Sequence, residues 1–324
     1  MNYTQYWLDV AQEYVRDHSS PDWVCAFAGG SVGRGEADRY SDLDLNIWTS
    51  DVTEPHYSKN VRYQNRIIQL HVHGLPKIGN VMANPWDFRF LAEARAVYDP
   101  EGILRRLLTD ALEYFRSPQG RERMFVQAGE RVSQRKLWLA QCLDNGEWLT
   151  AGVAAHSAWT DAAFAYSYFA RGSLSTGGLL PIVRELKLYE AYRNIRFADP
   201  FVGTDRLLAA LRTYRAHLYK TNPDHFALDP IQDELAARKT ARYEEQNDVE
   251  NLLWQLSGEA FWCYLSSVSG KSLEQHVNEL PENIRNGLTV LGFKPYTEKQ
   301  IDVLLKQTNE LLERAETHCR ANRP

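Results

Sequence analysis

Short apolar runs separated by polar turns fill the first third of the chain, and longer helical periods fill the rest. Tyr6, Trp7, Val10, Ala11, Tyr14 and Val15 recur at helical spacing with charged residues between them. This predicts an amphipathic helix over 3–17, stopped by Ser19, Ser20 and Pro21. Trp23 to Ala28 is a short apolar run closed by Gly29-Gly30, the pattern of a buried strand and a tight turn. Asp42 to Trp48 alternates, so Asp42 and Asp44 are expected on one face of a strand and Leu43 and Leu45 on the other. Residues 51–60, polar and containing Pro55, predict a loop. The stretch RIIQLHVH (66–73) alternates again, with Ile68, Leu70 and Val72 facing one way and Gln69, His71 and His73 the other, until Gly74 and Pro76 end it. Pro85 is placed to open a helix running to Ala94. A short strand is expected at Ala96–Tyr98, and Asp99-Pro100-Glu101-Gly102 turns the chain into a helix ending near Arg116.

Ser117-Pro118-Gln119-Gly120 predicts a linker. Beyond it the periods are helical, with helices expected at 121–144 and 147–171, broken at Asp144-Asn145-Gly146 into an antiparallel hairpin. Gly177-Gly178 precedes a further helix around 179–193, and others are expected at 203–220, 248–266 and 296–320. Segments 221–230 and 270–295 read as irregular. The expected architecture is an α+β domain over 1–117, a small mixed sheet flanked by helices, followed by an all-α domain over 118–324. A length of 324 residues allows a core in each.

Composition narrows the function classes. A net charge of -5 argues against a nucleic-acid-binding surface and slightly favours a cationic small molecule. Cys25, Cys142, Cys263 and Cys319 are far apart and form no metal-type pair, so reduced thiols are expected. No basic-then-apolar leader pattern and no apolar run of membrane-spanning length is present. The expectation is a cytoplasmic protein with no membrane partner; the oligomeric state is not legible.

The chemistry concentrates in residues 23–48, WVCAFAGGSVGRGEADRYSDLDLNIW. Two carboxylates on one strand face, about 7 Å apart, suit a shared divalent cation or a pair of them. Gly29 and Gly30 let backbone approach a ligand closely, and N–H groups at the following turn suit phosphate oxygens. The string Gly30-Ser31, ten further residues, then Asp42-Leu43-Asp44 resembles the signature of the DNA polymerase beta-like nucleotidyltransferase superfamily. GSVGRGEADRYSDLDL is most similar to the branch holding aminoglycoside and minimal nucleotidyltransferases, where Arg34, Gly35 and Ser41 also match. ARAVYDPEGILRRL resembles the close of that family's catalytic domain, and the helical half resembles the aminoglycoside enzymes' substrate-side domain in arrangement only.

The resemblance implies that Asp42 and Asp44 ligate two magnesium ions and that Gly29, Gly30, Ser31, Arg34 and Ser41 bind a nucleoside triphosphate, most simply ATP. The family's third carboxylate has no match: on RIIQLHVH the corresponding position is best filled by Gln69, a neutral and weaker magnesium ligand. Three alternatives follow. His71 or His73 serves as general base; an acid from elsewhere, such as Glu93 or one from the helical half, completes the site; or the protein binds nucleotide and transfers slowly or not at all. Asp87 and Asp99 read as a helix-start and a turn residue. In the helical half, Trp138, Trp148, Trp159, Trp254 and Trp262 read mostly as core, with a few free to line an acceptor pocket. Asp161 and Glu185 are acceptor-binding candidates, and Arg212 and His217 share the R-x4-H spacing of HEPN ribonucleases, which arises readily by chance. Transfer of a nucleoside monophosphate to a hydroxyl of a small molecule, an aminoglycoside-like antibiotic by resemblance, leads. Modification of a protein or RNA end and non-catalytic nucleotide binding compete with it.

Overall fold

The computed structural model describes residues 1–50 and 56–321, so residues 51–55 of the loop expected at 51–60 lie outside the described residues. It forms two compact units, Met1–Met124 and Phe125–Pro324. The first is α+β and the second is all-helical.

The first unit begins with helix α1 (Tyr3–His18), capped by the Asn2 side chain, which accepts from the Gln5 N–H. Strand β1 (Trp23–Ala28), a short helix α2 (Gly30–Arg34) and strand β2 (Leu43–Thr49) follow. Strands β3 (Tyr57–Tyr63) and β4 (Arg66–Gly74) form a hairpin whose turn residues, Gln64 and Asn65, both take positive φ of 49° and 63°. That is the backbone twist two-residue hairpins favour. The polar segment expected as a loop thus becomes, from Tyr57 on, the edge strand β3. Helix α3 (Ile78–Ala83), a 3₁₀ turn at Arg89–Glu93, strand β5 (Arg95–Tyr98) and helix α4 (Ile103–Arg116) complete the order. The continuous helix expected from Pro85 to Ala94 is absent; a turn at 84–88 leads into the 3₁₀ turn, and Asp87 starts no helix. Asp99 is a turn residue: its carboxylate accepts from the N–H groups of Leu104 and Arg105 and caps α4.

The five strands lie in the order β3-β4-β2-β1-β5. β2 runs parallel to β4, and the other pairings are antiparallel. Period-two alternation decides the faces. Leu43, Leu45, Ile47, Ile68, Leu70 and Val72 pack with Ala26 and Ala28 against Trp7, Val10, Ala11, Tyr14 and Val15 of α1. With that face filled, the intervening residues Asp44, Asn46, Gln69 and His71 must project from the opposite face.

The expected linker is a single residue. Ser117 caps the end of α4, and Pro118 opens helix α5 (Pro118–Asp144). The Ser117 hydroxyl donates to Tyr114 O at 2.7 Å and accepts from the Gly120 N–H at 3.0 Å, serving both helices. Gly120 is required there, since a Cβ would sit 1.9 Å from Tyr114 O.

Helix α6 (Trp148–Arg171) is the alanine-rich core of the second unit, with Ala151, Ala154, Ala155, Ala158, Ala162 and Ala163 fully buried. After it in the chain come α7 (Thr176–Arg184), α8 (Tyr189–Arg196), α9 (Thr204–Tyr219), α10 (Ile231–Glu245), α11 (Val249–Ser267), α12 (Leu273–Glu279), α13 (Glu282–Val290) and α14 (Glu298–Ala321). Three corrections to the sequence reading stand out. The 179–193 helix is two helices, 221–230 holds a 3₁₀ turn, and 270–295, expected as irregular, contains α12 and α13. Helix α12 is fixed by a capping box between Ser272 and Gln275.

Candidate functional site

The glycine turn lies directly on the second aspartate. Gly29 N–H donates to Asp44 O at 2.9 Å, tying the end of β1 to β2. Gly30 has φ +55°, and a Cβ there would stand 1.9 Å from Asp44 Oδ2. Both the backbone conformation and the close approach therefore require glycine. Helical bonding in α2 starts with Gly33 N–H to Gly29 O at 2.7 Å, which leaves the earlier N–H groups of α2 without intrahelical acceptors.

Ser31 joins this turn to the loop that delivers Asp42. Its hydroxyl donates to Ser41 Oγ at 3.2 Å, and Ser41 Oγ accepts from the Asp38 N–H at 2.9 Å. Ser41 is itself buried, and Asp38 Oδ1 accepts from the Tyr40 N–H. The residue before Asp42 is thus fixed in place. Asp42 and Asp44 are both half-buried while Leu43 between them is fully buried, the alternation expected of a strand edge facing a ligand.

The parallel pairing of β2 with β4 sets what stands beside Asp44. Gln69 is its register partner, and His71 partners Asn46. Gln69 donates to Asn60 Oδ1 at 3.3 Å. His71 Nε2 lies 4.0 Å from Asp44 Oδ1, and its Nδ1 is 2.8 Å from Ser58 Oγ. Burial, with a smaller push from His73, lowers the His71 pKa to about 4, so its imidazole is neutral at ordinary pH. His73 is lowered too, by burial and by His56, whose Nδ1 is 3.2 Å from its own. The sequence pattern does not reveal Ser58 and Asn60, because the polar stretch 51–60 predicts a loop. The alternation of β3 puts both on the face of Gln69 and His71.

Two expected residues are occupied elsewhere. Arg34 donates to Glu36 at 2.7 Å and to Glu93 at 3.0 Å, so two guanidinium contacts go to carboxylates of the chain itself. Glu93, proposed from sequence as a substitute acid, is the partner of Arg34 and only 11% exposed.

Magnesium favours oxygen donors and is usually held by one or two carboxylates together with substrate phosphates. Asp42 and Asp44 fit that description, and the Gln69 amide adds a neutral oxygen. Among the described residues no group of three or more His, Cys, Asp or Glu side chains is arranged to hold a metal unaided. The two carboxylates fit magnesium held jointly with the phosphates of a substrate.

In the helical unit a cavity of about 270 Å³ is lined by residues including Trp254, Phe261, Trp262 and Asp161. Asp161 accepts from Arg135 Nε at 3.1 Å at its edge, whereas Glu185 pairs with Arg171 and does not line the cavity. Trp159 and Trp254 are core residues; Trp148 and Trp262, expected with them, are exposed by 40% and 56%. Arg212 and His217 sit on α9, Arg212 facing solvent; five residues of helix separate them by about 140°.

No protein-family model matches the sequence, and no curated protein matches it. Among solved structures the chain is similar to a nucleotidyltransferase-like protein from Exiguobacterium sibiricum. The two share 12% identity over 89% of this chain and 88% of that one, with a TM-score of 0.33. A likeness that faint defines no chemistry, which has to come from the residues. Among the described residues no helix is long and apolar enough to cross a membrane.

Proposed function

We propose that the first unit transfers a nucleoside monophosphate, AMP from ATP in the simplest case, to a hydroxyl of a small molecule. The observation that carries this reading is the packing of Gly30 on the Asp44 carboxylate, with Ser31 bonded to the residue next to Asp42. A glycine turn with open N–H groups beside two carboxylates suits a triphosphate that brings its own cation. Gly30 and Ser31 hold terminal phosphate oxygens, Ser41 fixes the Asp42 loop, and Asp42 and Asp44 hold magnesium. Bound there, magnesium offsets the charge that builds on the phosphoryl and leaving oxygens. His71 stands 4.0 Å from Asp44 and accepts a proton only weakly, because burial makes it a poor base.

The test is release of pyrophosphate from each labelled triphosphate with magnesium and a panel of small hydroxyl compounds, aminoglycosides included. Asp42→Asn with Asp44→Asn should abolish release while circular dichroism is unchanged; retained activity contradicts the proposal. A second reading, nucleotide binding with little transfer, is favoured by the neutral Gln69 beside Asp44. Saturable ATP binding without pyrophosphate release under any acceptor supports that second reading.

A further inference from the structure

The helical-unit cavity holds a charge that the protein leaves unbalanced. Arg196, at the end of α8, lines it and is only 5% exposed. Its Nη1 donates to Gly292 O at 3.0 Å, its Nη2 to Ser257 Oγ and to Leu291 O, and its Nε–H has no acceptor. All these acceptors are neutral, and among the described residues no carboxylate pairs with Arg196. A guanidinium stays charged in a protein, and burying one without a counter-ion is costly. The other lining cations are matched: Arg135 by Asp161, Lys294 by Asp199. His156 adds no charge, since burial holds it well below its ordinary pKa. One positive charge remains. The surroundings are apolar and aromatic: Trp254, Phe261, Trp262, Phe293 and Tyr296. Trp262 and Leu265 are large apolar side chains exposed at the cavity, which a soluble surface ordinarily avoids clustering.

We propose that this cavity is a binding site for a small monoanion with an apolar or aromatic body, a carboxylate whose charge answers Arg196. A singly charged carboxylate matches the single unbalanced cation, and a phosphate monoester, close to doubly charged at neutral pH, exceeds it. The carboxylate accepts from the guanidinium, and the apolar body stacks among the aromatic rings. The site does not depend on the nucleotide reading, and its test uses no nucleotide.

The experiment titrates the whole protein with 4-phenylbutyrate, 4-phenylbutanol and 4-phenylbutylamine, following tryptophan fluorescence and the thermal midpoint. The expected result is saturable quenching and a raised midpoint with the carboxylate, at least tenfold weaker for the alcohol and weaker still for the amine. Gly258→Leu provides a filled cavity. Gly258 lines it, a Cβ there meets nothing within 4 Å, and leucine is the better helix former. That variant should lose carboxylate binding at least tenfold without a lower midpoint. Arg196→Met, where it folds, should bind acid and alcohol alike. Absence of saturable carboxylate binding, equal binding of the amine, or undiminished binding by Gly258→Leu overturns the proposal.

Discussion

Gly30→Ala separates two consequences of one close approach. The new Cβ would meet Asp44 Oδ2 at 1.9 Å, and ordinary contact begins near 3.4 Å, so the carboxylate must retreat by about 1.5 Å. The oxygen is the far end of a side chain and can move, so the steric part of the stability cost is modest. The backbone part is the left-handed φ of +55°, which costs a non-glycine residue roughly 1–2 kcal/mol. Urea unfolding should therefore show a loss of about 1–2 kcal/mol. Function should suffer far more, since a displacement of about 1 Å at reacting groups can cost on the order of 100-fold in rate. Pyrophosphate release or magnesium-dependent ATP binding measures that loss. The control is Asp44→Ala: with the carboxylate gone, Gly30→Ala should keep its backbone cost but weaken magnesium-dependent ATP binding no further, so the functional losses should be non-additive. If both losses add without coupling, Gly30 does not rest on Asp44, and the site as described fails.

Other outcomes follow from the same structure. Gln69→Glu puts an acid in register with Asp44 and should tighten magnesium binding, measured by calorimetry; weakened binding would show that the amide is no metal neighbour. Arg215, 2% exposed, is bonded to Asp233, to Glu259 at 3.1 Å and to Ala227 O; Arg215→Met takes the partner from Asp233 while Glu259 keeps Lys239, and should cost roughly 2–3 kcal/mol in urea unfolding. His276 is buried against the Tyr214 hydroxyl, and burial lowers its pKa to about 4, with His217 adding to the shift. The unfolded chain takes up a proton near pH 6.5 that the folded chain refuses, so its contribution is full above pH 6.5 and lost as pH falls toward 4. The loss is on the order of 3 kcal/mol. His276→Gln should flatten that limb of the unfolding curve; an unchanged slope refutes the assignment.

Where one face of an element is apolar and the other polar, the sequence was enough. α1, β2 and β4 were legible because their buried sets recur at clean periods, and β1 because it is one apolar run closed by glycines; Asp42, Asp44, Gln69 and His71 fell on the polar side of the strand pattern. β3 was not, since YSKNVRY is an edge strand with only Tyr63 buried; its one local signal was Asn65 in the turn. Helix α10 hid because its buried face is Gln232, Leu235, Ala236, Thr240 and Tyr243, too polar to stand out as a stripe. The short helices α12 and α13 adjoin Pro281, and only the Ser272–Gln275 pair marked the first of them. Partners that reach across the sheet, Ser58 for His71 and Asn60 for Gln69, depend on register, which no single strand's pattern contains. Arg196 was invisible for a similar reason: its significance lies in the carboxylate it lacks, and that shows only once its neighbours are known.

The border between the two units, Met124 to Phe125, falls inside α5 rather than in a loop. Proteases cut extended, exposed chain and bind helical backbone poorly. Gentle digestion should therefore leave this border intact and nick the chain elsewhere. A fragment meant to carry the first unit alone would have to end within a helix, leaving that helix's last carbonyls without intrahelical donors.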